Sequence, residues 1–317
     1  MIEISVTPIN VFIISGFLGA GKTTILNCFL QQFENQKNVV IENEVGKVNI
    51  DSSLLKYKIE LVYGLTNGCI CCSLDDDLLS VLKEISQKNT LPDNLFIETT
   101  GIADPGAVAA VFKTPALSEA FQLKKTVCVV DAPMLEYFLN NTEETQKQIV
   151  NCDLIVINKT EKLDSDKQLH LESTLKSINP FANITSSAMG YVESNLLFEN
   201  SKPKKMFFSK TYAKENPHKI TTDLYETTSR FDIKALENIL SLTLQRYYSQ
   251  IYRIKGFVID KNEEVYLVQS TGNSLNISKY NNSEIQMSQL VFIGKEILHK
   301  TIERLLKPAL VYKKVKL

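Results

Sequence analysis

A glycine-rich loop near the N-terminus constrains the fold of this 317-residue chain more than any other feature. The apolar run Ile9 to Ile14 leads into Ser-Gly-Phe-Leu-Gly-Ala-Gly-Lys-Thr-Thr at positions 15–24. This order predicts a buried strand, a loop and a helix, and the loop has the spacing G-x-x-x-x-G-K-[ST] of a phosphate-binding loop. Glycines allow backbone N–H groups to surround a phosphate, so the segment predicts a nucleoside triphosphate site.

Two side chains of this loop have expected roles. Lys22 is expected to neutralise oxygens of the β- and γ-phosphates, and the Thr23 hydroxyl is expected to ligate Mg²⁺. Further nucleotide contacts are expected from Gly16, Gly19, Ala20, Gly21 and Thr24. The alternative, a chance glycine loop, is disfavoured because the pattern is complete and a strand and a helix flank it on the correct sides.

Three cysteines lie within four positions, at Cys69, Cys71 and Cys72. A disulfide framework is not expected in a chain of this length. Clustered thiolates suit redox chemistry or soft and borderline metal ions such as Zn²⁺, Co²⁺ or Cu(I). The alternative is three small buried residues that happen to be adjacent. Packing is the favoured interpretation for the isolated cysteines, which are Cys28, Cys128 and Cys152.

Composition narrows the protein class. The chain has 35 Lys and Arg against 36 Asp and Glu, a formal net charge of −1, so no broad basic surface for nucleic acid is expected. No apolar run approaches the ~20 residues of a membrane span, and the first residues lack the regions of a signal peptide. We therefore expect a cytoplasmic protein that binds neither nucleic acid nor membrane, in a compartment that keeps thiols reduced.

Short apolar runs alternate with helical segments in the first part of the chain. Strands are predicted near Ile9–Ile14, Asn38–Ile41, Leu95–Ile97, Thr126–Val130 and Leu154–Ile157, with a helix over Lys22–Phe33. Because nearly every strand position is apolar, the strands are expected to be buried on both faces of a parallel sheet that carries helices on both sides. Ligands of such sheets bind at the carboxyl ends of the strands.

A linker is predicted over 196–205, where the pattern lapses into Asn, Ser, Lys and Pro. It separates a nucleotide-binding domain over 1–195 from a smaller domain over 206–317. The second domain has predicted strands near Thr221–Thr228, Lys255–Ile259, Val265–Ser270 and Leu290–Ile293, and helices over Asp232–Tyr247 and Lys295–Leu306. The predicted fold class is an α/β P-loop NTPase with a mostly parallel sheet, plus a smaller C-terminal α+β domain.

The strand that ends at Ile97 leads into Glu98-Thr99-Thr100-Gly101. Glu98 can hold Mg²⁺ directly or through water, and the Gly101 N–H can sense the terminal phosphate. Together with Lys22 and Thr23, Glu98 and Gly101 form the predicted catalytic set. Asp104, followed by proline, is predicted to begin a helix.

The strand that ends at Ile157 leads into Asn158-Lys159-Thr160-Glu161, which resembles the guanine-recognition element Asn-Lys-x-Asp of GTPases. In that element the Asn contacts the base, the Lys stem lies along it, and the acid accepts hydrogens from guanine N1 and N2. Glu161 takes the place of the usual Asp and is one methylene longer. A carboxylate left unpaired against adenine would favour GTP over ATP.

Further metal-ligand candidates flank these motifs. Glu42 and Glu44 follow the second strand, where they can supply an oxygen ligand to a transition metal or position Mg²⁺ or water; a solvated charge pair is an equal alternative. Loops at this place usually change conformation with the γ-phosphate. Among the three histidines, only His218 is a ligand candidate, although a lone His in a polar stretch usually has no metal. His170 and His299 are interpreted as helix-surface residues.

In this order, the motifs resemble the CobW-like family of P-loop GTPases, which is related to the metal-centre maturation GTPases HypB and UreG. The resemblance rests on segments 15–24, 42–44, 68–72, 98–101 and 158–161, and extends more loosely to 253–256 and 292–294. It implies GTP hydrolysis with Mg²⁺, coupled to binding of a transition metal, often Zn²⁺ or Co²⁺. It also implies that the three clustered cysteines bind the metal for delivery to a client metalloprotein or cofactor-synthesis enzyme.

Three departures from the family pattern concern the metal and the base. Lys47 stands where relatives usually carry an acid, three scattered histidines cannot replace a histidine-rich stretch, and Glu161 replaces Asp. We expect Cys69, Cys71 and Cys72 to hold one divalent ion, with water, Glu42 or a partner protein in the fourth position. No catalytic arginine or glutamine is evident, which predicts slow intrinsic hydrolysis.

Two other functions are compatible with the sequence. The chain can be a GTP-dependent switch that gates a partner in metalloenzyme or cobalamin-enzyme maturation, with a structural metal. A small-molecule kinase is the other alternative, although no acceptor site or base for a substrate hydroxyl is evident. The sequence gives no oligomeric state.

Overall fold

The structure is a computed structural model that describes residues 7–42, 61–64, 76–199, 220–247, 249–281, 285–295 and 297–311. Contacts divide the chain into two units. The first comprises Met1–Lys176 and Pro180–Lys204, and the second comprises Ser177–Asn179 and Lys205–Leu317. Within the ranges given above, no helix is long and apolar enough to cross a membrane.

Seven strands of the first unit form one sheet. They are β1 (Ile9–Ser15), β2 (Asn38–Glu42), β3 (Leu61–Gly64), β4 (Asn94–Glu98), β5 (Phe121–Asp131), β6 (Leu154–Asn158) and β7 (Asn183–Ser186). The spatial order is β3-β2-β4-β1-β5-β6-β7, and every neighbouring pair is parallel. The predicted parallel sheet is confirmed, and the carboxyl ends of these strands lie at one edge, where ligands bind.

Helices cover both faces of this sheet. They are α1 (Lys22–Gln32), α2 (Asp76–Ser86), α3 (Pro105–Val111), α4 (Pro115–Ser118), α5 (Leu135–Asn141), α6 (Glu143–Val150) and α7 (Ser165–Ile178). Successive strand residues point to opposite faces. Phe12 and Phe96 pack with Phe29 of α1, whereas Ile13 and Ile97 belong to the core that contains Leu82 of α2 and Val108 of α3. Burial on both faces explains the continuous apolar runs of the strands.

The second unit is an α+β domain, as predicted. Its strands are β8 (Ile220–Thr227), β9 (Arg230–Phe231), β10 (Ile251–Ile259), β11 (Val265–Thr271), β12 (Ser274–Lys279), β13 (Ser288–Lys295) and β14 (Leu310–Val311), and its helices are α8 (Ile233–Arg246) and α9 (His299–Leu306). Five strands form an antiparallel sheet in the order β12-β11-β10-β13-β8, and β14 pairs with β9. The side chain of Asp232 caps α8 by accepting a 3.0 Å hydrogen bond from the Ala235 N–H.

The structure changes one predicted boundary, the start of the last helix, and describes part of the predicted linker. The helix predicted from Lys295 begins later, because Lys295 is the last residue of β13, pairs with Ile220 and donates its N–H to the Gln250 carbonyl at 2.8 Å. Of the predicted linker 196–205, the structure describes residues 196–199. Within these, Leu197 is fully buried in the core on the α1 side of the sheet.

Candidate nucleotide-binding site

The glycine-rich loop turns sharply between β1 and α1. Gly16, Gly19 and Gly21 have φ values of 141°, 75° and 97°, in the region that favours glycine. A Cβ atom on Gly21 would lie 2.4 Å from Nδ2 of Asn158. The loop is therefore shaped by glycine both for its backbone conformation and for its close approach to β6, and its open backbone forms a cradle of the kind that binds phosphate.

Thr23 and Glu98 lie in contact at the start of α1. The Thr23 hydroxyl donates a 2.9 Å hydrogen bond to Oε1 of Glu98, which ends β4 and is only 7% exposed. A hydroxyl and a carboxylate are the hard oxygen ligands that Mg²⁺ prefers. Both residues lie at the carboxyl edge of the sheet beside the glycine-rich loop, so they could hold Mg²⁺ next to a bound triphosphate.

Glu42 is the neighbour of Glu98 across the sheet. The two glutamates end adjacent parallel strands and pair in register, and each is 7% exposed. By strand alternation both side chains lie on the α1 face, as do Val40 and Phe96. Two neighbouring buried carboxylates carry an electrostatic cost that a bound cation would lower. This edge of the sheet therefore has the charge expected of a cation site.

The other loop residues are distributed around the cradle. Nζ of Lys22 lies 3.4 Å from the Phe17 carbonyl of the same loop, so the ammonium lies beside the predicted phosphate site. The Ala20 N–H donates to the same carbonyl at 3.2 Å. Thr24 lies exposed in the first turn of α1, where its methyl group would be 2.4 Å from a Cβ on Gly190. The segment that follows β7 therefore approaches this end of the helix.

Asn158 and Lys159 tie β6 to the glycine-rich loop. The Asn158 amide donates a 2.9 Å hydrogen bond to the Ala20 carbonyl, and Nζ of Lys159 donates to the Gly19 carbonyl at 2.7 Å. The Lys159 backbone is left-handed, with φ 62°. A left-handed backbone conformation in a residue other than glycine is strained, and such strain is common at ligand-binding sites. Here the hydrogen bonds of Asn158 and Lys159 to the glycine-rich loop hold that conformation in place.

Asp131 is a site residue that the motif analysis missed. It ends β5, beside β6, and its Oδ2 lies 2.5 Å from Nζ of Lys159. Its position could have been found from the sequence, because Asp131 directly follows the apolar run Val127 to Val130, as Glu98 and Asn158 follow theirs. Asp131 therefore completes the set of polar residues at the carboxyl ends of the strands.

Glu161, the predicted guanine acceptor, lies in a short turn over Thr160–Lys162 and is exposed. The preceding Thr160 hydroxyl donates to the Ser187 carbonyl at 3.2 Å, which connects this turn to the segment after β7. The turn follows directly from Lys159, so Glu161 lies open to solvent on the segment that is predicted to recognise the base.

Gly101 packs directly against the glycine-rich loop. A Cβ on Gly101 would lie 2.6 Å from the backbone nitrogen of Leu18 and 2.5 Å from its Cγ. The segment after Glu98 therefore meets the phosphate cradle with no room for a side chain. Asp104 caps α3 by accepting the Gly106 N–H at 2.8 Å, which confirms the predicted helix start.

Several predicted metal residues lie outside the described residues. These are Cys69, Cys71, Cys72, Glu44 and His218; Lys47, which departs from the family pattern, also lies outside them. In the part of the chain that the structure describes, no group of three or more His, Cys, Asp or Glu side chains could hold a metal ion. Cys128 and Cys152 are buried in the core, as the packing interpretation predicts, whereas Cys28 is half-buried.

The other two histidines both lie on helices. His170 is largely exposed on α7, with Nε2 3.1 Å from Oε1 of Glu136. His299 begins α9, and its Nδ1 lies 2.9 Å from Oδ2 of Asp223. Both positions agree with the helix-surface interpretation.

Comparison with known proteins agrees with this site and fold. Residues 10–186 match the family "CobW/HypB/UreG, nucleotide-binding domain", and residues 220–310 match "Cobalamin synthesis protein cobW C-terminal domain". The zinc chaperone YjiA of Escherichia coli is 32% identical over 93% of this chain and 96% of its own. The zinc chaperone CobW of Pseudomonas aeruginosa is 25% identical over 96% of this chain and 92% of its own.

A solved structure is similar over almost the whole chain. The Zn(II)-bound YjiA GTPase from E. coli superposes with a TM-score of 0.70 at 25% identity, covering 96% of this chain and 99% of that one. The expected resemblance and the expected GTPase activity are therefore confirmed. The chain belongs to the CobW family of P-loop GTPases, with the family's nucleotide-binding domain followed by its C-terminal domain.

Proposed function

We propose that this GTPase is a metallochaperone that binds Zn²⁺ through Cys69, Cys71, Cys72 and Glu42 and delivers the ion to a client protein. The relatives named above are zinc chaperones. In this chain, the buried carboxylates of Glu42 and Glu98 lie at the carboxyl edge of the sheet, where they could bind cations. Three thiolates and one carboxylate make a tetrahedral site, and an exchangeable fourth ligand allows transfer. Co²⁺ would fit the same donor set.

One observation carries this proposal: Glu42 ends a strand that lies between the strand of Glu98 and β3, the strand that precedes the cysteines in the sequence. In the sheet, Glu42 pairs with Glu98 on β4 and with Gly64 on β3. Cys69 follows Gly64 by five positions in the sequence. Five residues span at most about 17 Å, so the chain keeps Cys69 within about that distance of Gly64, at the carboxyl edge that carries Glu42.

This arrangement gives a route from nucleotide to metal. Glu98 accepts the hydrogen bond of Thr23, and Glu42 is its strand neighbour at the end of β2. A change at the terminal phosphate would move Glu42 relative to the cysteines and change the affinity for Zn²⁺. Thermodynamic linkage then requires Zn²⁺ to change the relative affinity for GTP and GDP by the same factor.

Hydrolysis itself uses the cradle and the cation site. Water attacks the γ-phosphorus, the bond to the β-phosphate oxygen breaks, and the products are GDP and phosphate. Lys22 and the loop N–H groups stabilise the negative charge, while Thr23 and Glu98 hold Mg²⁺. Asn158, Lys159 and Glu161 bind the guanine base.

The metal site is tested by counting bound zinc in reduced protein. Cys71→Ser should lower the zinc stoichiometry from one to near zero and leave GDP affinity unchanged. Cys28→Ser is the matched control, because Cys28 is a half-buried cysteine whose sulfur contacts the Val192 backbone. Equal zinc content in both variants would reject the cysteine site.

The partner-gating alternative predicts a different pattern. If the metal is only structural, zinc affinity will be the same in the GDP and GTP states, and only the affinity for the client will depend on nucleotide. Client capture with each nucleotide, measured with the zinc-loaded and the zinc-free protein, separates the two functions.

A further inference from the structure

Helix α6 holds the segment that follows Glu98 through a buried glutamine. Nε2 of Gln148 donates hydrogen bonds to the Gly101 carbonyl at 3.0 Å and to the Ala103 carbonyl at 3.2 Å. Gln148 is completely buried. One side-chain amide therefore fixes two backbone carbonyls of a segment that has no strand or helix to hold it there.

The next turn of the chain adds a second attachment. Nδ2 of Asn151 donates to Oδ1 of Asp104 at 3.1 Å, and the same oxygen accepts the Gly106 N–H that begins α3. A Cβ on Gly106 would lie 2.9 Å from the Asn151 amide. Residues 101–106 are thus held at both ends by Gln148 and Asn151.

The buried amide of Gln148 serves as a donor. Among the residues that the structure describes, its Oε1 has no hydrogen-bond donor, although it is buried. Burial of an amide costs free energy unless the amide is hydrogen-bonded, so the two bonds that Gln148 donates account for an amide at this core position. An apolar side chain would fill this core position without that cost, but it could not hold the Gly101 and Ala103 carbonyls.

The segment that Gln148 holds touches the phosphate cradle. Gly101 approaches the Leu18 backbone so closely that a Cβ would lie 2.6 Å from its nitrogen. The position of Gly101 is therefore set from two sides, by Leu18 of the glycine-rich loop and by Gln148 of α6. A small displacement of its peptide would change the distance between the Gly101 N–H and a terminal phosphate.

We infer that Gln148 is a positioning residue for recognition of the γ-phosphate, acting through the Gly101 peptide. The inference rests on the proposed GTPase mechanism and on the role that the sequence predicts for Gly101 in sensing the terminal phosphate. Without the Gln148 donor, the Gly101 segment loses its fixed position. Binding of the terminal phosphate must then order the segment, and the entropy lost in doing so lowers the affinity for GTP. GDP lacks that phosphate, so its binding is affected much less.

The test compares nucleotide affinities of the full-length protein. Mg²⁺-GDP and Mg²⁺ with a non-hydrolysable GTP analogue are titrated into wild type, Gln148→Met and Gln146→Met. Gln146 is the matched control, since it lies buried on the same helix but donates to the Leu139 carbonyl at 2.9 Å. Both substitutions replace a buried glutamine with methionine, but only Gln148→Met removes the hydrogen bonds to the Gly101 segment.

We expect Gln148→Met to lower the affinity for the analogue tenfold or more, ~1.4 kcal/mol, with less than a threefold change for GDP. Gln146→Met should keep the wild-type ratio of the two affinities. A wild-type ratio in Gln148→Met, or equal losses for both nucleotides in the two variants, would overturn the inference. If Gln148→Met does not fold, Gln148→Asn keeps the amide but shortens its reach, and it is held to the same criteria.

Gly101→Ala separates this inference from the role of Gly101. If Gly101→Ala lowers the ratio of analogue affinity to GDP affinity while Gln148→Met keeps the wild-type ratio, Gly101 senses the phosphate without help from Gln148, and the inference is wrong. If both variants keep the wild-type ratio, the role predicted for Gly101 is wrong as well. Zinc binding by the cysteines is measured independently of either result.

Discussion

The hydroxyl of Thr23 donates a hydrogen bond of 2.9 Å to Oε1 of Glu98, across a separation of 75 residues in the sequence. The contact joins the first turn of α1 to the end of β4. Both oxygens lie at the carboxyl edge of the parallel sheet, beside the glycine-rich loop. This pair is the part of the site best suited to hold Mg²⁺ against a triphosphate.

Removing the Thr23 hydroxyl should impair hydrolysis through the metal. We expect Thr23→Ala to lower kcat for GTP by about 100-fold, the scale of losing one group that stabilises the transition state, and to raise the Mg²⁺ concentration needed for half-maximal rate. Thr23→Ser retains the hydroxyl and should retain most activity. Phosphate release measured over a Mg²⁺ titration checks both expectations; equal Mg²⁺ dependence in the Ala and Ser variants would remove Thr23 from the metal site.

Asp131 and Lys159 should act as one unit in nucleotide binding. Asp131 holds the ammonium that also contacts the Gly19 carbonyl, so loss of either side chain should weaken GDP binding and the second loss should add little. In a double-mutant cycle of Asp131→Ala and Lys159→Ala, we expect a coupling energy of about 1 kcal/mol or more. Strictly additive effects on GDP affinity, measured by titration, would show that the ion pair does not position Lys159.

Substitution at Glu161 should change the base preference. A carboxylate accepts hydrogens from guanine N1 and N2, whereas the amide of Glu161→Gln offers a donor that suits the extra carbonyl of xanthine. We expect Glu161→Gln to lower GDP affinity at least tenfold and to raise affinity for xanthosine diphosphate, with competition against a fluorescent GDP as the measurement. If the variant keeps its preference for GDP, the base is recognised by another group.

Gly21 should tolerate no side chain. Its φ of 97° costs an L-residue roughly 1–2 kcal/mol, and a Cβ would also lie 2.4 Å from Nδ2 of Asn158. We expect Gly21→Ala to lower the melting temperature by at least about 2–4 °C and to weaken GDP and GTP binding alike. Calorimetric melting and nucleotide titration check this, and a variant with wild-type values in both would contradict the geometry.

Some elements could be predicted because local sequence determines them. The runs that form β1, β4 and β6 are apolar at nearly every position, and each is followed by a polar motif at the carboxyl edge. The start of α8 could be predicted from Asp232, because its side chain caps the helix through a hydrogen bond from a residue only three positions away. Local chemistry was sufficient in these places.

Other elements depend on partners distant in the sequence. The prediction lacked β7, Asn183–Ser186, because this edge strand is half-buried and mostly polar and forms only where β6 offers its backbone. It also lacked β3, which has four residues, and the end of β13 at Lys295, which is held by two neighbouring strands. Pairing in the folded sheet determines these segments.

The residues of the site also differ in whether short motifs or long-range packing determine their place. The glycine-rich loop, Glu98 and the Asn158 segment carry their chemistry in short motifs. The role inferred for Gln148 depends on the packing of α6 against the Gly101 segment, and no spacing in the sequence indicates it. The adjacency of Glu42 and Glu98 likewise follows from strand order, since β2 and β4 are neighbours in space but separated in the chain.

The central claim is that nucleotide state controls zinc affinity. The most direct measurement is zinc affinity by chelator competition on the reduced protein, with Mg²⁺-GDP and then with Mg²⁺ and a non-hydrolysable GTP analogue. We predict a difference of tenfold or more, ~1.4 kcal/mol of coupling between the two sites. Equal zinc affinities in the two nucleotide states would contradict the account and leave a GTPase whose metal is structural.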